Sequence, residues 1–158
     1  MAFRKALIII DTFLRGIIAG LIAGAVKDIP DSILHSVFHL KKLSFWDYAG
    51  VIALNRMPAG FLEIALAVLF EVMFSIGLGV FFVFLADKVI KTKHYLLLGL
   101  TFGSSVWFFV TVFVKIFGLT QLQTKNLSDP ILTFMLSASY GLLLTVIDHW
   151  LNKRRAWS

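Results

Sequence analysis

The chain contains no cysteine. Disulfides, thiolate zinc sites, iron–sulfur clusters and a cysteine nucleophile are therefore excluded together. Charge is scarce: 15% of the 158 residues are Asp, Glu, Lys or Arg, against about 25% in an average soluble domain. Proline is scarcer still, with three residues, at 30, 58 and 130, each at an expected element boundary. The nine acidic residues are outnumbered by fifteen basic ones, for a net charge of +6. That excess does not describe a nucleic-acid surface. The basic residues stand in short clusters between apolar runs, with no basic stripe interleaved with stacking aromatics.

Catalytic motifs are missing as well. The glycines from Gly16 to Gly24 are not followed by the Lys-Ser/Thr of a phosphate loop. Gly103-Ser104-Ser105 lacks the second glycine of a nucleophile elbow, and no His or Lys base stands at matching depth. No histidine falls in the middle of an apolar run, which removes the facing imidazoles that bis-histidine haem needs. No cofactor is expected.

What is abundant is apolar. The chain is 59% hydrophobic with 16 phenylalanines, and its mean hydropathy is +0.88. One soluble core of this length would leave large apolar patches uncovered, so lipid is the natural solvent. A hydrocarbon layer of about 30 Å takes about 20 apolar residues to cross as helix, and four runs qualify: 6–27, 62–86, 95–117 and 131–151. The expected fold is all-α, a single integral membrane bundle of four transmembrane helices. Arg4 and Lys5 ahead of an apolar run, with Ala23-Gly24-Ala25 after it, also fit a signal peptide. Asp11 and Arg15 within the run favour a retained helix.

The segment 28–58 is too polar to cross. Pro30 suits a helix start, and the residues after it place Ile33, Leu34, Val37, Phe38 and Leu40 on one face, with Asp31, Ser32, His35, Ser36, His39 and Lys42 opposite. That is the pattern of an amphipathic helix lying along the membrane surface. Ser44-Phe45-Trp46-Asp47 reads as an acidic capping box opening a second short helix, to about Arg56. The last connection, 118–130, reads as irregular and holds the sequon Asn126-Leu127-Ser128.

Each span carries a ridge of small or polar residues four apart. They are Thr12, Gly16, Gly20 and Gly24; Glu63, Ala67, Glu71, Ser75 and Gly79; Gly99, Gly103, Trp107, Thr111 and Lys115; and Ser137, Gly141, Thr145 and His149. Lipid gives helices no hydrophobic reason to associate, so close backbone approach and interhelical hydrogen bonds do so instead. The ridges predict a compact bundle. The Gly16-Gly20-Gly24 ladder serves a second copy of the chain equally well, and the partners expected are the bilayer and either that copy or another membrane protein. Trp46, Tyr48, Tyr95, Trp150 and Trp157 fall near the expected interfaces.

Polar residues inside the apolar runs are the candidate functional groups. Placing a charge at helix centre costs about 2.5–3.5 kcal/mol on insertion scales. Glu71 is such a residue, and it reads either as a proton or ion relay with Ser75 and Thr145, or as an acid hydrogen-bonded to a neighbouring helix. Glu63 and Lys115 are level and suggest an ion pair, and Asp11 and Arg15 form an i, i+4 pair. A helix running through Pro30 would set Asp28, Asp31, His35 and His39 on one face. With Glu63 from the same side, Asp31, His35 and His39 then suggest a divalent metal site, and otherwise a solvated face.

Orientation follows from Lys and Arg. Arg4, Lys5, Lys88, Lys91, Lys93, Lys153, Arg154 and Arg155 fall on one side, and Lys27, Lys41, Lys42, Arg56 and Lys125 on the other, with Lys115 near that edge. The bias places both termini in the cytoplasm. Finally, G-I-I-A-G-L-I-A-G-A-V-K-D-I-P, from Gly16 to Pro30, resembles the opening of small uncharacterised multi-spanning membrane proteins of Gram-positive bacteria. The resemblance covers a minority of the chain. It implies a bacterial cell membrane and carries no activity. The functional expectation is a non-enzymatic accessory, assembly or scaffolding subunit of a membrane complex, with a small oligomeric transporter or channel using Glu71 as the alternative.

Overall fold

A computed structural model describes residues 2–88, 94–123 and 126–155, and among them the side chains from Ile9 to Lys153. Arg4, Lys5, Lys91, Lys93, Lys125, Arg154, Arg155 and Trp157, which contributed to the orientation and interface readings, lie outside the residues or side chains so described. The described residues form helices without strands: α1 (Ala2–Ser36), α2 (Phe45–Leu54), α3 (Phe61–Lys88), α4 (Tyr95–Ile116) and α5 (Ser128–Arg155), with a single 3-10 turn, Thr120–Leu122, before the last. Four of them, α1, α3, α4 and α5, are long and apolar enough to cross a membrane, and α2 is a shorter apolar helix between the first two.

Glycine decides which helices meet. Gly16, Gly20 and Gly24 of α1 lie against Val80, Gly79, Ile76 and Ser75 of α3, and a Cβ on Gly20 would stand 2.9 Å from Ile76 Cα. Gly99 and Gly103 of α4 lie against Gly141, Ser137 and Thr145 of α5, where a Cβ on Gly141 would stand 2.7 Å from Gly103 N. Both pairs run antiparallel, since rising numbers on one helix meet falling numbers on the other. The two pairs join mainly through α1 and α5, over a core of Ala19, Ala23, Phe82, Val83, Phe102, Tyr140 and Leu144. The outward faces carry Phe13, Leu14, Leu69, Met73, Phe84, Leu97, Phe109 and Met135, each at least half exposed. This is the arrangement the ridges predict: small residues inward, large apolar residues toward lipid.

The structure differs from the sequence reading at Pro30. The helix does not start there; α1 continues through Pro30 to Ser36. The missing Pro30 N–H is one lost bond in a long helix, and α1 is pinned on both sides of it. Lys27 reaches α3, and Asp31 accepts from Lys41, from Ser44 Oγ and from Phe45 N. Of the residues read as the polar face of a surface helix, Asp31, Ser32, His35 and Ser36 are therefore the end of α1, with Asp31 fully buried against Lys41, while His39 and Lys42 lie beyond it and are exposed. His39 leaves the helix altogether, with φ of 51°, so it no longer shares a face with His35. The capping box is present, with Ser44 N donating to Asp47 Oδ2 at 2.7 Å. The helix it opens ends two residues earlier than expected, at Leu54, where Asn55 turns left-handed.

A candidate intramembrane binding site

Two buried charge clusters sit on α1, twelve residues or about 18 Å apart along the axis. In the first, Arg15 is 7% exposed and joins three helices. It pairs with Asp11 on its own helix at 3.5 Å, with Asp87 at the end of α3, and with Asp148 of α5 at 2.8 Å. Thr12 Oγ1 also donates to Asp87, at 3.1 Å. The expected Asp11–Arg15 pair is thus part of a larger hub.

The second cluster is centred on Lys27 and Glu71, each 5% exposed. Lys27 Nζ donates to Glu71 Oε1 at 2.6 Å and stands 2.9 Å from Asp28 Oδ1. Its ammonium lies 3.6 Å from the centroid of the Phe45 ring, a cation–π placement that compensates lost hydration. Ser75 Oγ adds a bond to Glu71 Oε1 at 3.0 Å, and Tyr140 OH donates to Ser75 O at 2.6 Å. Glu71 Oε2 is buried without a hydrogen-bond donor, while Asp28 Oδ1 has the Lys27 ammonium beside it.

Above this cluster lies a polar cap built by the loop and α2. Lys41 pairs with Asp31; burial pushes its ammonium below the ordinary lysine range, and Asp31 opposes that shift. Burial likewise raises Asp47, against the Ser44 N–H that favours its charge. Tyr48 is pushed up to about 12 by burial and by Asp129, Asp31 and Asp47, which keeps it a neutral hydroxyl.

Glu71 opens onto a cavity of about 360 Å³. Its walls come from all four spans and from α2, among them Phe45, Tyr48, Phe74, Leu78, Val106, Trp107, Val110, Thr133, Ser137 and Tyr140. A second, mainly apolar groove of about 540 Å³ continues from it between α3 and α4, lined by Phe81, Leu85, Leu98, Phe102, Phe109 and the hydroxyl-bearing Thr101 and Ser105. The two share Phe74, Leu78, Val106 and Val110. This seam exists because neither glycine ladder faces it: α3 spends its small residues on α1, and α4 on α5. Large side chains, with Phe82 and Phe102 in contact at 5.1 Å between ring centroids, hold α3 and α4 apart. Volumes of this size hold drug-sized or single-chain ligands.

Several expected site residues meet and others do not. Glu71 and Ser75 share a bond, whereas Thr145 donates to Gly141 O at 3.1 Å within the α4–α5 contact. Glu63 pairs with Arg56 and also accepts from Ala59 N at 2.8 Å, bracing the turn at Pro58 and Gly60 instead of reaching Lys115, which is exposed. Of the candidate metal ligands, Asp31 is saturated by its three donors, His35 Nδ1 faces Lys41 O at 3.1 Å, His39 is exposed, and Glu63 is held by Arg56. Among the described residues no three His, Asp or Glu side chains converge in a metal-holding group.

Lys27, which the sequence reading placed at the last position of the first span and used only for orientation, is the site residue it did not name. A signal for it exists: the ridge Thr12, Gly16, Gly20 and Gly24 continues by the same step of four to Asp28, so the packing face runs past the expected end of the span and carries Lys27 with it. Comparison with protein-family models, curated proteins and solved structures finds no match for this chain.

Proposed function

We propose that this membrane protein binds an amphipathic molecule that enters sideways from the bilayer, and acts as a small carrier or binding subunit for it. One observation carries the reading: a groove open between α3 and α4 leads from the lipid-facing surface to a buried carboxylate with an unpartnered oxygen. A tail lies along Phe81, Phe102 and Phe109, and a head reaches Glu71 and Thr133, whose hydroxyl is also buried without a partner. An empty apolar void needs no such groups at its end, and a purely structural acid would have both oxygens satisfied. Glu71 is then the ion or proton group of a small transporter, with Ser75 orienting it.

The test uses protein in lipid nanodiscs containing a lipid with a photoreactive group in its hydrocarbon chain. Crosslinks should concentrate on Phe74, Leu78, Val106 and Val110, and Val110→Trp should remove them by filling the passage. Labelling spread evenly over all outward-facing residues would sink the proposal.

The accessory or assembly reading keeps one support, the same seam, which a partner's helix would close. It predicts a stoichiometric protein partner on purification in mild detergent. Under either reading the protein belongs in a bacterial cell membrane with both termini in the cytoplasm, the side that the Lys and Arg bias favours.

A further inference from the structure

The charge at the head of the cavity deepens this reading and rests on it. We infer that the site takes a lipophilic cation, and that the cation exchanges for one proton held between Glu71 and Asp28.

The count of charges gives the sign. Lys27 brings one ammonium, while Glu71 and Asp28 bring two carboxylates, all in contact. One negative charge is left over in an apolar setting, and such a charge is neutralised by a proton or by a bound cation. The neighbours do not supply the missing positive charge. On α1 Asp31 is already matched by Lys41. From α2 come Asp47 and the neutral Tyr48, from α5 Asp129 and Tyr140, and the α4 wall offers Trp107 and Thr111 without a charge. The layer is therefore acidic overall, and an anionic head would meet two carboxylates and one ammonium that is already shared.

The free oxygen gives the exchange. Glu71 Oε2 lacks a donor, and Glu71 and Asp28 both contact the one Lys27 ammonium, at 2.6 and 2.9 Å. A single proton shared by the two carboxyl groups gives Glu71 Oε2 a donor and cancels the extra charge. When a cation L⁺ binds, one O–H bond breaks, the proton leaves to solvent, and the total charge of the site is unchanged. The Phe45 and Tyr140 rings, which already face Lys27, offer π faces to a cationic head as well.

The experiment measures binding of three probes with the same ten-carbon tail to the full chain in neutral-lipid nanodiscs: an alkyltrimethylammonium, an alkanol and an alkanesulfonate. None of them titrates near neutrality, so any proton released comes from the protein. The ammonium probe should bind saturably and release one proton. Its affinity should tighten by up to about tenfold per pH unit while the site holds that proton, and the sulfonate should bind at least about tenfold more weakly. Glu71→Gln should abolish proton release and remove the preference for the ammonium over the sulfonate. The probe order on the unmodified protein stands even where that variant fails to fold.

If the sulfonate binds as tightly as the ammonium, or the ammonium binds without releasing a proton, and Val110→Trp still blocks binding, the cation–proton inference is wrong and the groove reading stands. If no probe binds saturably, or Val110→Trp changes nothing, both are wrong.

Discussion

At the scale of single residues, the costly groups are the ones that hold the bundle in register. Lys27 and Arg15 are each surrounded by more acid than they neutralise, so neither can be removed without leaving buried negative charge. Deleting one partner of a buried pair costs about 3–5 kcal/mol, because the survivor keeps its desolvation and loses its compensation. Lys27→Met should therefore lower stability in detergent by about that amount, read from unfolding midpoints, and Lys27→Met combined with Glu71→Gln should recover a substantial part of the loss. A double variant as unstable as the single one would mean that Lys27 stabilises by packing its stem rather than by charge. Ser75 and Tyr140 extend the same logic without charge: a serine hydroxyl on Glu71 and a tyrosine hydroxyl on the Ser75 carbonyl tie α3 to α5.

At the scale of elements, the step of four along each helix names the contacts. Gly77 and Gly79 stand two residues apart on α3 and separate the effects of glycine. A Cβ on Gly77 would meet nothing within 4 Å, while one on Gly79 would stand 2.7 Å from Gly20 N. Gly77→Ala should be neutral or stabilise by up to about 1 kcal/mol through helix propensity alone. Gly79→Ala should push α1 from α3 and lower the unfolding midpoint in the same detergent. Equal effects would show that the α1–α3 contact is not held at this ladder. The periodicity carried that much of the fold in plain view: the four spans, the buried stripe Ala67, Glu71, Ser75 and Gly79, and the short capped helix. The end of α1 was not legible. A proline after Lys-Asp-Ile marks a boundary by local preference, and the tertiary bonds of Asp31 that carry the helix past it come from residues ten to fourteen positions away. The candidate site was half legible for the same reason. Glu71 and Ser75 lie on one ridge, whereas their partner Lys27 is 44 residues from Glu71 in sequence. The seam cannot be read from either helix, since it records where the ladders do not point.

At the scale of the whole molecule, four spans place the Arg15 hub at one end and the Lys41–Asp31 cap at the other. Lys27 and Lys41 are consumed by buried pairs, so at the cap end Lys42, Arg56 and Lys115 are the described basic side chains that stay exposed, and Arg56 is bonded to Glu63. Lys88 and Lys153 are exposed at the hub end. With two free basic groups at each end, the described side chains add no bias of their own, and the expected orientation rests on the Lys and Arg at 4, 5, 91, 93, 154 and 155. The absence of cysteine makes the test direct, since a single introduced thiol is the only one present. In intact bacterial cells, Lys42→Cys should react with a membrane-impermeant maleimide, and Lys88→Cys should react only after the cells are opened. The opposite pattern would invert the protein and put the polar cap on the cytoplasmic side. Reaction of both thiols from the same side would break the four-span architecture itself, because α3 would then begin and end in one compartment.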